Sequence, residues 1–402
     1  MTEPLLIKTM GCRWRVDVSR VTEADADRLR VLWGRTSGWE PDPHEPPDFP
    51  RDLTVTYPDL TDGLSDPLVI GRNIDTASYT FSGLMTVRSL TAQAGRVTLL
   101  HSAALALPQT GATVLLVAES GTGKTTAAKE LGRHLGYLSD ETAAIDADGI
   151  VIPHPKPLSV IPGPGEPKIE MAPDEVGLLP PPAVQPWVAA TILLQRSPTS
   201  PGPLDLTPVD LLTALSEVIP QSSSVPVHEA PLETLANVLT CGSGSYRLRY
   251  VEIIDAIGMI LDLLREVAPG DHRPRDWERI APTADRRTGP WSPSPAWTPP
   301  SAGFDGLVER SPWRDALRDI ETESIFVLNA HQPTKLMGLG ATVWTLCESP
   351  QTSAQLLEEV IAQHGPHPQA ADLLRQTIAT LASEGLLRAA ESPSADTTVA
   401  DA

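Results

Sequence analysis

Apolar residues in the first two thirds of the chain form short runs that turn residues separate. Three runs predict strands because each is continuous and bounded by turn signals: VTLLHSAALAL, ATVLLVAES and WVAATILLQRS. Two other stretches predict helices: TTAAKELGRHLG and VEIIDAIGMILDLLREV. Because strands and helices alternate here, we expect residues 91–265 to form an α/β core.

The pattern is less regular before this core. Residues 1–90 mix the strand-like segments WRVDVS and DLTVTYP with the helix-like segment TEADADRLRVLWG. They predict a small α+β region, and the sequence gives it no role.

A different pattern follows residue 306. The segments SIFVLNA and TKLMGLG predict the two strands of a hairpin. Three stretches then repeat apolar residues at the helical spacing i, i+3, i+4 and i+7: GATVWTLCES, TSAQLLEEVIAQHG and PQAADLLRQTIATLASEGLL. A hairpin beside three helices predicts a compact domain of winged-helix type over 306–390.

Proline marks the boundary between these regions. Several of the chain's 41 prolines fall within 266–305, where long apolar runs are few, so this segment predicts an extended linker. Trp291 and Trp297 in the same segment suggest that parts of it dock on a neighbouring domain. Residues 391–402 predict a disordered tail.

Composition narrows the function classes. The formal net charge is −20, with 51 acidic and 31 basic residues, and such a field disfavours binding to nucleic acid or to an anionic membrane. No signal-peptide core and no stretch of 18 apolar residues is present, so we expect a soluble, cytoplasmic protein. Cys12, Cys241 and Cys347 lie far apart and form no metal-binding pair, which fits a reducing compartment.

The clearest chemical motif follows the second predicted strand. A P-loop needs small residues so that backbone N–H groups can approach phosphate oxygens, and a helix after it directs its positive dipole end at the anion. The loop and the residue after it are Ala118, Glu119, Ser120, Gly121, Thr122, Gly123, Lys124, Thr125 and Thr126. Lys124 would reach the phosphates, and Thr125 would offer its hydroxyl to Mg²⁺. Ala118 replaces the usual first glycine.

An acidic pair and a histidine flank this loop. Asp140 and Glu141 follow one helix and one short strand, whereas His101 opens the strand pair that leads into the loop. One carboxylate could accept a proton while the other helps to hold Mg²⁺.

This arrangement resembles the HPr kinase/phosphorylase family, whose core is similar to phosphoenolpyruvate carboxykinase. The resemblance covers roughly 95–265 and implies ATP and Mg²⁺ as cofactors. It also implies catalytic roles for His101, Lys124 and the acidic pair, with Thr125 and Asp140 at the metal. The family's second aspartate is the base, but that position is Glu141 here, so the base is either Asp140 or Glu141. The family's assembly makes a homo-oligomer plausible.

Two further segments lie downstream of the acidic pair. Lys156, in HPKPLSV, resembles a Lys-Pro-Leu-Ser element of small peptide-directed kinases and is expected to contact phosphate or substrate. Glu170 and Glu175, in KIEMAPDEVG, lie where the family carries a later metal-binding glutamate, and neither is assigned.

The C-terminal domain resembles PqqD-like peptide-recognition domains. The positions that match are mostly core or cap residues: Gly340, Trp344, Thr352, Leu356, Gly385 and Leu386. The resemblance implies that the leader of a ribosomally made precursor peptide adds as a strand to an exposed edge. The expected edge is Ser324 to Leu328, beside the third helix near Leu373 to Ile378.

Together the two resemblances predict a kinase that phosphorylates Ser or Thr of a precursor peptide in natural-product biosynthesis. The tether would raise the peptide's effective concentration at the active site. The alternative is a nucleotide-binding scaffold without transfer activity, which recognises the leader and presents the peptide to other maturation enzymes. Ala118 and Glu141, as departures from the family pattern, favour the alternative.

Overall fold

The computed structural model describes residues 3–37, 42–119, 121–163, 165–197, 202–299 and 306–390. It is a mixed α/β structure with several sheets. The chain divides into two compact units. The first contains Met1–Val227 and Thr234–Pro274, and the second contains His228–Glu233 and Arg275–Ala402.

The N-terminal part of the first unit is a four-stranded sheet with two helices. Its strands and helices are β1 (Leu5–Thr9), β2 (Cys12–Arg20), α1 (Glu23–Leu32), β3 (Arg51–Thr56), β4 (Leu68–Val69) and α2 (Ile74–Gln93). The strand order is β1-β2-β3-β4, and only the first pair is antiparallel. Buried side chains of Trp14, Trp33 and Phe81 form its apolar core. The sequence pattern separates residues 1–90 from 91–265, but the first unit contains 1–90 together with most of 91–265.

The rest of the first unit contains the predicted core. Its elements are β5 (Thr98–Leu100), β6 (Ser102–Ala106), β7 (Ala112–Val117), α3 (Lys124–Leu131), β8 (Gly136–Ser139), β9 (Ala143–Ile145), β10 (Val151–Ile152), β11 (Leu158–Val160), β12 (Ile169–Met171), β13 (Trp187–Arg196), β14 (Asp205–Pro208), α4 (Leu211–Val218), α5 (Pro231–Thr240), β15 (Ser245–Tyr250) and α6 (Ile257–Arg265). The first three residues of α5 belong to the second unit.

A six-stranded sheet organises this core in the order β14-β15-β13-β7-β6-β8. Strand β13 runs parallel to both β7 and β15, whereas β6 runs antiparallel to β7 and β8. The carboxyl ends of β7, β8, β13 and β15 therefore lie at one edge of the sheet. Helices α3 and α6 pack on the sheet, where Leu131 and Ile260 join Leu116 and Ile192 in one buried cluster. Two smaller sheets, β10-β9-β5 and β11-β12, complete the unit.

The second unit combines two small sheets with three helices. Its elements are β16 (Trp277–Arg279), β17 (Leu307–Arg310), β18 (Asp315–Asp319), β19 (Ile325–Asn329), β20 (Gln332–Leu336), α7 (Leu339–Leu346), β21 (Gln351–Thr352), α8 (Ser353–His364), α9 (Ala370–Ser383) and β22 (Leu387–Ala389). The sheet orders are β16-β18-β19-β20 and β21-β17-β22. Trp313 and Trp344 meet edge to face in its core, and Thr352 caps α8.

The structure of this unit differs from two expectations drawn from the sequence. Strand β19 covers most of the expected leader-binding edge, Ser324 to Leu328, but it pairs with β18 on one side and β20 on the other. Because both its edges already carry strand partners, a leader cannot add there, and that expectation was wrong. Part of the expected linker 266–305 is also ordered, because β16 pairs with β18. The predicted tail 391–402 lies outside the described residues.

Within the part of the chain that the structure describes, no helix combines the length and the apolar character that crossing a membrane requires.

Candidate active site

The phosphate loop lies at the carboxyl edge of the central sheet, between β7 and α3. Gly121 and Gly123 have φ angles of +86° and +95°, a conformation that favours glycine because it has no Cβ. Ala118 is buried and Glu119 is exposed, while Ser120 lies outside the described residues. Helix α3 begins at Lys124, directly after Gly123. The strand–loop–helix context that the motif predicts is therefore present.

Lys124 is enclosed by the elements around the loop. Its side chain is 7% exposed, and Nζ donates to the carbonyls of Ala118 (2.9 Å) and His101 (3.0 Å). Burial lowers the pKa of Lys124 to about 8, although Glu141 and Asp140 act in the opposite direction. Thr125, in the first helical turn, is partly buried, and Thr126 is exposed. The ammonium is therefore held at the loop by bonds that an anionic ligand could replace.

The acidic pair follows β8 at the same sheet edge. Asp140 is 4% exposed, whereas the Glu141 side chain is 44% exposed. The Ser139 hydroxyl accepts the backbone N–H groups of Glu141 (3.2 Å) and Thr142 (3.0 Å), which fixes the turn. The pair therefore combines one enclosed carboxylate with one that solvent or a substrate can reach.

Lys156 holds the two carboxylates together. Its Nζ lies 3.2 Å from Asp140 Oδ1 and 3.2 Å from Glu141 Oε2, and the residue is 2% exposed. Burial alone would lower the pKa of Lys156, but Asp140, Glu141 and Glu170 outweigh it and raise the pKa above its usual value. This placement differs from the substrate contact expected from the sequence, because the ammonium is enclosed and already paired with the protein's own carboxylates.

A third carboxylate, Glu170, joins this cluster and acts on Lys156. It accepts hydrogen bonds from Ser82 on α2 (3.2 Å) and from Ser159 on β11. Burial raises the pKa of Glu170, and the nearby Lys156 partly offsets that effect. Glu175 instead pairs with Arg28 at 2.6 Å, on a more exposed surface. Of the two unassigned glutamates, Glu170 is therefore the one that joins the cluster.

Tyr137, which sequence reasoning missed, contacts the same carboxylates. Its hydroxyl is 2.9 Å from Asp140 Oδ1 and donates to it, and its ring is fully buried. Burial raises the pKa of this phenol well above its usual value, and Asp140 acts in the same direction. Strand β8 is buried along its whole length, which could have indicated a core tyrosine, but not its partner.

The two histidines near the site differ. His101 is half-buried between β5 and β6; burial and then Lys124 lower its pKa, so the imidazole is neutral at pH 7. His154 is fully buried, and its ring nitrogens have no hydrogen-bond partner in the described structure. Burial, with Lys156 adding to it, lowers the pKa of His154 to about 3.

The donor set can be compared with what Mg²⁺ requires. Among the described residues no group of three or more His, Cys, Asp or Glu side chains is arranged to hold a metal. Asp140 Oδ1 is occupied by Tyr137 and Lys156, but Oδ2 accepts no hydrogen bond within the described part of the chain. Mg²⁺ usually takes one or two protein oxygens beside water and substrate phosphates. Asp140 Oδ2 and the Thr125 hydroxyl fit that requirement.

Comparisons with known proteins add little. No family model matches the sequence. No curated protein matches it either. Among solved structures, the HPr(Ser) kinase/phosphatase from Coxiella burnetii is similar at 13% identity, over 42% of this chain and 94% of that one, with a TM-score of 0.22. A TM-score this low does not establish a shared fold.

Proposed function

We propose that the first unit is an ATP- and Mg²⁺-dependent kinase and that the second unit captures its substrate, a ribosomally made precursor peptide. The acceptor is a Ser or Thr hydroxyl of that peptide. The observation that carries the proposal is the single sheet edge shared by an enclosed lysine, Lys124, and a carboxylate pair, Asp140 and Glu141.

The phosphate loop accounts for donor binding. Backbone N–H groups from Gly121 to Thr125 and the start of α3 would surround the phosphates, as in other strand–loop–helix sites. Lys124 would exchange its two carbonyl partners for phosphate oxygens. Mg²⁺, held by Thr125 and Asp140, would neutralise charge on the donor's phosphates when bound.

The carboxylate pair accounts for acceptor activation. The peptide hydroxyl oxygen attacks the γ-phosphorus, the bond to the β–γ bridging oxygen breaks, and ADP leaves with that electron pair. The hydroxyl proton passes to a carboxylate within hydrogen-bond reach. Glu141 is the better base because its side chain is accessible, whereas Asp140 is enclosed and its Oδ1 is already bonded. Positioning and charge neutralisation supply most of the rate in such transfers.

The second unit offers a different strand edge from the one expected. Strand β20 ends the order β16-β18-β19-β20, and no described strand pairs with its outer side. Exposed Met337 follows it directly, which gives an apolar anchor beside that strand edge. We therefore place the leader on β20, where main-chain hydrogen bonds would supply affinity.

Phosphate transfer tests the kinase proposal directly. The purified chain is mixed with γ-labelled ATP, Mg²⁺ and a candidate precursor peptide encoded beside its gene. We expect label on the peptide, reduced about 100- to 1,000-fold by Lys124→Ala and about 100-fold or more by Glu141→Gln. Arg133→Met is the matched control, because Arg133 is exposed and its ion-pair partner among the described residues is Glu130 on α3.

Leader capture is tested separately by the binding of a fluorescent leader peptide. Met337→Asp should weaken that binding at least tenfold while leaving ATP binding unchanged. Leader binding without any label transfer, and insensitive to Glu141→Gln, would instead identify a scaffold that presents peptide to other enzymes.

A further inference from the structure

A cavity of about 590 Å³ lies beside the phosphate loop, within the first unit. Ala118, Glu119 and Thr122 of the loop form one wall, and the ends of β13 and β15 form another. Three arginines line it, Arg196, Arg247 and Arg249, together with the carboxylates Glu119 and Glu217. Arg247 pairs with Glu217, and Arg249 pairs with Asp205. The cavity therefore combines a phosphate-binding wall with arginines, of which Arg247 and Arg249 already have a carboxylate partner.

The strand order places the cavity opposite the carboxylate pair. Strand β7, which leads into the phosphate loop, lies between β13 on one side and β6 on the other. Asp140 follows β8, beyond β6, whereas the cavity lies beyond β7 at β13 and β15. The loop is therefore flanked by Asp140 and Glu141 on one side and by the arginine-lined cavity on the other.

Arg196 lies close to the loop. A Cβ placed on Gly123 would lie 4.0 Å from Arg196 Cδ. The guanidinium is held by the Val251 carbonyl at 3.0 Å and by Glu252 at 2.8 Å, and Nη1 has no partner among the described residues. The Glu252 side chain is 58% exposed, so this ion pair holds Arg196 only weakly and leaves it able to turn.

We propose that this cavity receives the nucleoside part of the phosphate donor and that Arg196 is a second cation on the donor's phosphates. This inference rests on the proposed kinase function. In phosphoryl transfer the attacking and leaving oxygens lie roughly in line on opposite sides of the phosphorus. Because the base lies toward β8, the leaving diphosphate and its nucleoside extend toward β13. Arg196, at the end of β13, meets the negative charge that develops on the leaving oxygen.

The experiment separates the two parts of the ligand by comparing ATP with inorganic tripolyphosphate. Affinities are measured calorimetrically for the full chain with Mg²⁺. Arg196→Met removes the cation, and Ser216→Trp fills the cavity from an exposed position on its wall. Arg133→Met, at an exposed residue in the turn after α3, is the control, and far-ultraviolet circular dichroism confirms that each variant is folded.

The two variants should give different patterns. Arg196→Met should weaken ATP and tripolyphosphate alike by about tenfold or more, because a charge-assisted contact to phosphate is lost from both. Ser216→Trp should weaken ATP about tenfold and leave tripolyphosphate unchanged. The control should bind both ligands as the wild type does.

The remaining outcomes distinguish a failure of this inference from a failure of the proposed kinase function. If the wild type binds ATP, Lys124→Ala abolishes that binding, and neither Arg196→Met nor Ser216→Trp changes it, the inference is overturned and the proposed function stands. If the wild type binds neither ligand, the proposed function is overturned and the inference falls with it.

Discussion

Each unit of the chain contains a buried ion-pair cluster, and the two clusters are built differently. In the first unit Lys156 is surrounded by Asp140, Glu141 and Glu170. In the second unit the buried carboxylate of Asp315 meets the guanidinium of Arg279 at 2.7 Å. Both clusters remove charge from water, so both need internal partners to persist.

The clusters differ in how completely their carboxylates are satisfied. Asp315 is 0% exposed; Oδ1 accepts from Arg279, and Oδ2 accepts the N–H groups of Leu232 (2.9 Å) and Glu233 (3.4 Å). In the first unit one ammonium serves several carboxylates, and Glu141 remains accessible beside the phosphate loop. A saturated cluster can only hold structure, whereas a surplus of carboxylate oxygens at a sheet edge is available for a proton or a cation.

The largest effect is expected where the first cluster loses the ammonium of Lys156. Lys156→Met should lower the unfolding free energy of the first unit by about 3–5 kcal/mol, because Asp140 and Glu170 stay buried and lose the counter-charge of Lys156. Hydrogen exchange of peptides from α3, compared with peptides from α7, reports the two units separately.

A second substitution checks the cause of that loss. Lys156→Met combined with Asp140→Asn should recover a substantial part of the stability, since one uncompensated charge is removed. A loss below about 1 kcal/mol in the single variant would show that the cluster is not the compensated network described above.

A substitution in the cluster of the second unit, whose carboxylate is fully hydrogen-bonded, should change the stability of that unit and not ATP binding. Asp315→Ala should destabilise the second unit by about 3 kcal/mol, because Arg279 Nε and two backbone N–H groups lose their acceptor. ATP affinity should stay at the wild-type value. Glu278→Ala is the matched control: its pair with Arg318, 3.5 Å apart, is partly exposed, so less than about 0.5 kcal/mol is expected. Altered ATP affinity in Asp315→Ala would remove the distinction between the clusters.

The sequence predicts the parts of the site that depend on neighbours along the chain. The phosphate loop needs only a strand, small residues and a helix in succession, and these occur as β7, Gly121–Gly123 and α3. The pair Asp140 and Glu141 follows the next strand, as its pattern indicates. The main helices of the second unit were likewise predictable, since each shows helical apolar spacing over eight or more residues.

What the sequence could not predict depends on contacts between distant segments. Ser82 and Glu170 meet across 88 positions, and no local pattern connects them. The sequence around Lys156 would be the same whether the side chain faced a substrate or a buried carboxylate. Its pairing with Asp140 follows only from the packing of distant segments. Strand β19 is not an edge strand, because β18 pairs with it on one side and β20 on the other. The hairpin pattern in the sequence does not determine both pairings.

A smaller effect concerns His154, the neutral neighbour of Lys156. Its pKa is lowered to about 3 by burial, so the unfolded chain binds a proton below about pH 6.5 that the folded chain does not. The contribution of His154 to the unfolding free energy is therefore fully present above pH 6.5 and declines as the pH falls toward 3. Between pH 7 and pH 5 we expect a decline of about 2 kcal/mol from His154 alone.

His154→Phe isolates that contribution, because it keeps a buried ring and removes the titrating nitrogens. Urea unfolding at pH 7 and pH 5 should show a smaller decline for the variant than for the wild type, by about 2 kcal/mol. Equal declines would mean that His154 is protonated in the folded protein, which would place a second cation in the first cluster and end its carboxylate surplus.

The smallest effect tests how far the first cluster extends. Ser82 on α2 donates to Glu170 Oε2, so the N-terminal region reaches the cluster through this bond. Ser82→Ala should cost about 1 kcal/mol, because Ser159 still donates to the other oxygen of Glu170. Thr76→Ala, an exposed change on the same helix, should stay within about 0.5 kcal/mol. If the two variants are equal in unfolding free energy, the cluster ends at Glu170 and residues 1–90 support the site only through apolar packing.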